Sequence, residues 1–391
     1  MAAAGGMTSR PPILASLMLL SDHGHGHVRD YNEAVGRAAR RAGWSHMAAL
    51  VKNWQGADLP AEWEVRIDCP DLENFWARNL GYGLMARSVA SYARERLLPA
   101  GQPVILFIEN LSTSTLMVMW MALRRVPRDR LALWLLVRFS LRERGWPGRV
   151  SRLLLNQLRR QLPPGALQLL TDSVSLRGAL ERFTGMPFTV LPIPHLDVDA
   201  AAARAPFRAG RLICWWPGAP RAEKGLAVMR ALTANTGKGM DRLEIVVAAE
   251  AGLPSAVRGP RLATQPPGMD RAAYLAALGD CHVVLLPYHA QAYRERTSGI
   301  FVEAVAAGKT PLVSAGTWMA GELERHGLET LILDWADAAV GERIWAAAHD
   351  AEVAARLRTM QAGYLEQHGE AAFAAALQAI YARQETHAHH T

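Results

Sequence analysis

Cysteine, lysine and long apolar runs are all scarce in this chain. Its three cysteines, Cys69, Cys214 and Cys281, are odd in number and far apart. That spacing argues against a disulfide framework and against a zinc knuckle. The longest apolar runs, ILASLMLL near the start and LMVMWMAL from Leu116, fall well short of the roughly eighteen residues that a spanning helix needs. Arg10 is followed by a brief apolar stretch that runs into a histidine-rich loop rather than a cleavage site, so no signal peptide is read there and a cytoplasmic protein is expected. Lysine is nearly absent, with four residues among 43 cationic ones. A basic run in so arginine-rich a chain is ordinarily a solvated face. No nucleic-acid-binding motif accompanies the charge, and nucleic acid is not expected as a partner.

What is present fits an ordinary globular protein of more than one domain: 391 residues, 50% hydrophobic and 20% charged. The net charge of +7 is uneven, because residues 1–200 hold 24 Lys and Arg against 17 Asp and Glu, and the rest is balanced. Residues 121–160 alone carry eleven arginines against Asp129 and Glu143. Such a stretch suits an anionic membrane surface or a phosphate-bearing acceptor.

Short β-rich runs alternate with amphipathic stretches in both halves, which predicts an α/β fold built from βαβ units. The strands of the first half are read at ILASLMLLS, SHMAALVK, PVILFIEN, LALWLLVRF, ALQLLTD and FTVLPIP. The second half restarts at RLICWWPG and continues through LEIVVAA, HVVLLPY, TPLVSAG and ETLILDW. Between them the alanine-rich stretch of residues 195–210 reads as a linker. Domains are therefore expected at 1–196 and 197–368. Residues 369–391 are read as a last helix, ending at Gln384, and a disordered polar tail.

Three segments carry chemistry. The first runs from Tyr293 to Pro311, YRERTSGIFVEAVAAGKTP, where Glu295 and Glu303 stand eight positions apart with Ser298 and Gly299 between them. Two glutamates at this spacing arise by chance about once in such a chain. Here they flank a helix start that lies between two strands. An anion docks at such a start, on free N–H groups and the positive end of the helix dipole. Glu303, one turn in, can accept hydrogen bonds from a diol such as a ribose. The second segment, PGAPRAEKGLAVMRAL, sets Arg221 and Lys224 in a strand-to-helix loop, either as a diphosphate clamp or as ordinary charges at a surface helix start. The third, SDHGHGHVRDYN, sets Asp22 beside three histidines, His23, His25 and His27, that alternate with Gly24 and Gly26. Its glycines permit close backbone approach to a ligand. Its imidazoles also suit a transition metal, but no second ligand cluster accompanies them and no metal is predicted. Asp30 or His27 can also cap the following helix. Asp197-Val198-Asp199 has the form of a cation-binding pair, yet it falls in the linker and is set aside. Glu109 and Asn110, ending the strand PVILFIEN, are candidates to touch an acceptor.

PGAPRAEKGL together with SGIFVEAVAAGKTPLVS resembles the paired signatures of the GT-B fold glycosyltransferases, in particular the retaining family 4 enzymes, over most of residues 210–327. The resemblance implies two Rossmann-like domains facing a central cleft, with the last helix crossing back to the first domain. It implies that Gly218, Arg221 and Lys224 hold a donor diphosphate, that Ser298, Gly299 and Ile300 meet it through the backbone, and that Glu303 binds ribose. Glu295 would face the donor sugar, although Arg296 and Thr297 stand where the family has a glycine and an aromatic. The loop of Gly24 and Gly26 would approach the donor phosphates or the acceptor, with His25 a catalytic candidate and Asp22 and His23 on the acceptor side. An inverting enzyme would instead use His25, Asp22 or Glu109 as general base. The expected activity is metal-independent, retaining transfer of a hexose from a nucleotide sugar to a glycan or lipid-linked acceptor, as in cell-surface glycan synthesis. A sugar-nucleotide epimerase on the same fold, a metal-dependent hydrolase built on the histidine loop and a nucleotide-binding module that no longer catalyses are the alternatives, and the oligomeric state is left open.

Overall fold

The computed structural model describes residues 10–19, 27–54, 58–69, 75–109, 111–141, 145–194, 196, 198 and 210–389. It divides into two compact units, Met1–His195 with Glu370–Thr391, and Leu196–Gly369.

The first unit is a seven-stranded parallel sheet. Its strands are β1 (Ile13–Met18), β2 (Ser45–Val51), β3 (Trp63–Ile67), β4 (Val104–Ile108), β5 (Leu131–Leu136), β6 (Leu167–Thr171) and β7 (Thr189–Val190), in the order β3-β2-β1-β4-β5-β6-β7. Helices α1 (His27–Arg41), α2 (Phe75–Tyr92), α3 (Thr113–Ala122), α4 (Trp146–Gln161) and α5 (Val174–Thr184) connect them. Ile13 registers with Ser45 on one side and Val104 on the other, so β1 is central. β1, β4 and β5 are buried along their whole lengths, and for that reason they read in the sequence as unbroken apolar runs. β3 escapes that reading because it is an edge strand, WEVRI, with only its two ends buried. From β1 the chain turns one way to β2, whereas from β3 it returns across the sheet to β4, β5 and β6. Right-handed crossovers therefore put α1 on one face and α2, α3 and α4 on the other. α2 packs on α3, and α3 on α4. α1 begins at His27, so Asp30 lies in its first turn rather than at the cap.

The second unit has six parallel strands: β8 (Leu212–Trp215), β9 (Leu243–Ala248), β10 (Arg261–Gln265), β11 (Val283–Leu286), β12 (Thr310–Ser314) and β13 (Ile332–Leu333), in the order β10-β9-β8-β11-β12-β13. Its helices are α6 (Leu226–Ala234), α7 (Arg271–Asp280), α8 (Ala290–Tyr293), α9 (Gly299–Ala306), α10 (Trp318–Arg325), α11 (Val340–His349) and α12 (Ala351–Gln367). β10, with no fully buried residue, is the second strand that periodicity misses. The order reverses at β8 and β11, and a sheet of this kind binds ligands outside the carboxyl ends of its strands at such a point.

The last helix, α13 (Glu370–His389), belongs to the first unit. Phe373, Leu377 and Ile380 join that unit's core, Glu370 pairs with Arg37, and Trp134 Nε1 donates to Gln384 Oε1 at 3.0 Å. Sequence reading ends this helix at Gln384 with a disordered tail. Instead it continues to His389, since Glu385 to His389 contain neither proline nor glycine to stop it.

Candidate functional site

At the end of β8 the chain passes Trp216, which is fully buried, and enters the loop containing Gly218. A single 3-10 turn, Ala222–Lys224, then leads through Gly225 into α6. Two contacts fix this loop: Trp216 Nε1 donates to the Lys224 carbonyl at 3.2 Å, and His289 N donates to the Glu223 carbonyl at 3.0 Å. Gly225 has φ +84°, and a Cβ there would lie 2.0 Å from the carbonyl oxygen of Pro287. Only glycine allows the loop after β8 to press against the segment after β11. At Gly218, φ +82°, a Cβ would lie 2.8 Å from Lys224 Nζ and 3.8 Å from Ile300 Cδ1. The ammonium thus rests beside the Gly218 backbone, close to the first turn of α9.

Lys224 is a strained cation. Burial, followed by repulsion from Arg221 and Arg296, pushes its pKa down to about 8, while Glu223 opposes the shift. Arg221, Lys224 and Arg296 have no ion-pair partner among the described residues. Arg296 lies over the Tyr293 ring at 5.1 Å. Positive charge gathered this way, with Glu223 only partly offsetting it and no ion pair closed on these three cations among the described residues, is arranged for an anion.

The helix start completes the arrangement. Ser298 caps α9, its hydroxyl accepting from Phe301 N at 3.3 Å. The N–H groups of Gly299 and Ile300 have no protein acceptor among the described residues and are left for a ligand. Glu303 follows one turn later, only 4% exposed. Its Oε1 accepts from Arg271 Nη1 and its Oε2 from Tyr274 Oη, both at 2.6 Å. These two bonds fix the position of the carboxylate. Burial and then the Glu303 charge raise the Tyr274 pKa, keeping its hydroxyl a donor. Tyr274 also packs on Trp215 at 5.2 Å, and Trp215 Nε1 donates to Gln265 Oε1.

Sequence reasoning missed Arg271 and Tyr274. They sit in the first turn of α7, capped by Asp270, and nothing in the spacing links that turn to a glutamate some thirty residues later. Glu295 lies half-buried in the bend between α8 and α9, flanked by the exposed Arg294 and Arg296.

In the first unit Glu109 follows β4 and is buried. Its Oε1 pairs with Arg138 Nη1 at 3.1 Å and its Oε2 accepts from Asn32 Nδ2 at 3.0 Å. Arg138 Nε in turn pairs with Asp172 Oδ2 at 2.9 Å, and the guanidinium lies over Tyr31. Burial opposes the Arg138 charge, but Asp172 and Glu109 outweigh it and raise the pKa above its ordinary value. Glu109 is therefore a member of a buried network at the carboxyl ends of β4, β5 and β6. Asp22, His23, Gly24, His25, Gly26 and Asn110 lie outside the described residues, as do Asp197 and Asp199. No group of three or more metal-binding side chains occurs among the described residues.

By sequence alone, neither a family model nor a curated protein matches the chain. Solved structures match along nearly its whole length. Sucrose-phosphate synthase from Thermosynechococcus elongatus superposes with a TM-score of 0.67 at 15% identity, covering 96% of this chain and 100% of its own. HepE of Anabaena, solved with UDP and glucose, gives 0.64 at 13% identity over 95% and 99% of the two chains. The α,α-trehalose 6-phosphate synthase of Burkholderia multivorans gives 0.62 at 11% identity over 97% and 98%. With two parallel α/β sheets and a last helix that returns to the first unit, this chain has the GT-B fold of those structures.

Proposed function

We propose that the chain is a glycosyltransferase that moves a hexose from a nucleotide-diphosphate donor to an acceptor hydroxyl. The observation that carries this reading is the convergence of the Lys224 ammonium, the Gly218 backbone and the first turn of α9 at the reversal point of the second sheet, with Glu303 one turn behind. HepE was solved with UDP and glucose, which supports a UDP-hexose as the first donor to try. Glu303, held by Arg271 and Tyr274, would receive the ribose diol.

In the reaction the bond from the anomeric carbon to the diphosphate oxygen breaks and its electron pair leaves with the diphosphate. The acceptor oxygen bonds to that carbon and releases its proton. Charge grows on the leaving diphosphate, and Arg221, Lys224 and the helix-start amides supply the opposite charge there, so the reading is of a metal-independent enzyme. Retention of the anomeric configuration is proposed with Glu295 facing the donor sugar, whereas inversion would need a general base such as His25 or Asp22. A cytoplasmic enzyme acting on a lipid-linked or glycan acceptor for the cell surface is the biological setting proposed.

Lys224→Ala should lower turnover by about a hundred- to a thousandfold, the loss of roughly 2.7–4 kcal/mol of transition-state stabilisation. A thermal-shift panel of UDP-, GDP-, ADP- and TDP-sugars identifies the donor, and product analysis with and without acceptor separates transfer from epimerisation. Full turnover by the Lys224→Ala protein, or no stabilisation by any nucleotide sugar, would remove this reading.

A further inference from the structure

The outer face of the α2–α3–α4 layer in the first unit carries four large apolar side chains that the fold does not cover. Leu80 and Leu84 on α2 are 69% and 42% exposed, and Trp146 and Leu153 on α4 are 75% and 59% exposed. Leu80 and Leu84 are four residues apart and Trp146 and Leu153 seven apart, so each pair stands on one side of its helix. Both helices lie on the same face of the sheet, with α3 between them.

The charge on this layer has one sign. α4 contains four arginines and no carboxylate, and Arg149, Arg152, Arg159 and Arg160 are all exposed. None of the four has an ion-pair partner among the described residues. On α2, Arg87 continues the stripe of Leu80 and Leu84 and is likewise exposed and unpaired among the described residues. Arg124 lies over Trp120 at 4.1 Å, just past the end of α3. Of the eleven arginines between residues 121 and 160, Arg138 is drawn into the buried network with Glu109 and Asp172, so it does not belong to this surface.

We infer that this face seats the protein on an anionic lipid bilayer, with Trp146, Leu153, Leu80 and Leu84 entering the headgroup boundary and the arginines pairing with lipid phosphates. A helix with an aromatic and aliphatic edge, whose charged residues are all cationic, is suited to lie in that interface. Arginine stems lie along apolar surface while their heads reach the phosphates. Two other occupants fit less well. A second copy meeting the same face by twofold symmetry would bring unpaired arginines against one another. A nucleic acid would use the arginines but leave the three leucines against water.

The docking face has a geometric consequence that depends on the proposed glycosyl transfer. The first turn of α4 meets the start of α3, Thr113 Oγ1 donating to the Pro147 carbonyl at 3.3 Å, and α3 itself begins shortly after Glu109 at the carboxyl end of β4. A bilayer touching Trp146 would present a lipid-linked acceptor at that end of the sheet. The docking itself does not require transfer to occur, so the two ideas fail independently.

Co-sedimentation of the full chain with vesicles of phosphatidylcholine alone, and of phosphatidylcholine mixed with phosphatidylserine, tests the inference without any activity assay. The protein should pellet with the mixed vesicles only, and added salt should release it. Arg149→Gln with Arg152→Gln should weaken binding about 25-fold, from about fivefold for each arginine near an anionic surface. Trp146→Ser with Leu153→Ser should weaken it at least about tenfold. All four side chains are exposed, so both variants should keep the parent melting temperature, which shows that they fold. Equal pelleting with neutral vesicles, no pelleting at all, or unchanged binding by both folded variants would overturn the inference. So would concentration-dependent self-association in sedimentation velocity that Trp146→Ser abolishes, because the face would then belong to a second copy.

Discussion

Lys224 ties the ionisation of one side chain to ligand binding. In the free protein burial and two neighbouring arginines hold its pKa at about 8, below the ordinary lysine value. The negative charge of a diphosphate placed against it would outweigh both effects and return the pKa upward, so at pH 9 binding should take up about one proton from solvent. Donor affinity should fall by up to about tenfold per pH unit above pH 8. The sign for stability is opposite. Between pH 8 and the unfolded lysine value the unfolded chain holds the proton and the folded chain does not, so this group's contribution to stability rises with pH there; its cost is fully present below pH 8. Calorimetric titration of UDP at pH 9 in two buffers of different ionisation enthalpy measures the uptake, and Lys224→Ala should abolish it. Equal heats in both buffers for the parent protein would show that Lys224 does not meet the diphosphate. At this scale the sequence was partly legible. Lys224 and Glu303 could be picked out because each stands at a fixed distance from a turn that glycine or serine marks. Arg271 and Tyr274 could not, because what makes them part of the site is the packing of α7 against α9, which only the tertiary fold brings about.

The loop after β8 and the start of α9 meet as elements because Gly225 lets the first press on the chain after β11. Gly225→Ala sets a methyl group against the Pro287 carbonyl at a positive φ, two faults that do not relieve one another. It should destabilise the second unit by roughly 2–4 kcal/mol. Ser298→Ala removes one cap hydrogen bond and should cost about 1 kcal/mol. Urea unfolding followed by tryptophan fluorescence gives both values. If the glycine variant proved the milder of the two, the close approach of these elements would be wrong. The elements themselves differ in how plainly the sequence shows them. β4 and β5 are buried on both faces, and their apolar runs can hardly be read otherwise. β3 and β10 are edge strands in which Glu64, Arg66, Arg261 and Thr264 interrupt the apolar residues; with one side open to water they need no continuous apolar run, and so left no signal.

In the whole molecule the chain leaves the first unit once and comes back to it. The alanine-rich stretch at the end of the sequence could be read as a helix, and the family resemblance implied its return, but its partners could not be read. Phe373, Leu377 and Ile380 enter a core whose other members come from residues far earlier in the chain, Tyr31 among them at 6.4 Å ring to ring. α13 also supplies Glu370 to Arg37 and Gln384 to the Trp134 indole. Removing residues 370–391 therefore exposes one side of the first unit while leaving the second unit's own contacts untouched. Burial of three large apolar side chains contributes on the order of 5–9 kcal/mol, comparable with the whole stability of an ordinary domain. The shortened chain should show one lost or strongly lowered transition in calorimetry, belonging to the first unit. A second transition should remain, still raised by UDP, because Lys224, Ser298 and Glu303 all lie in the second unit. If both transitions stayed at their original temperatures, α13 would be an appendage rather than part of the first unit's core.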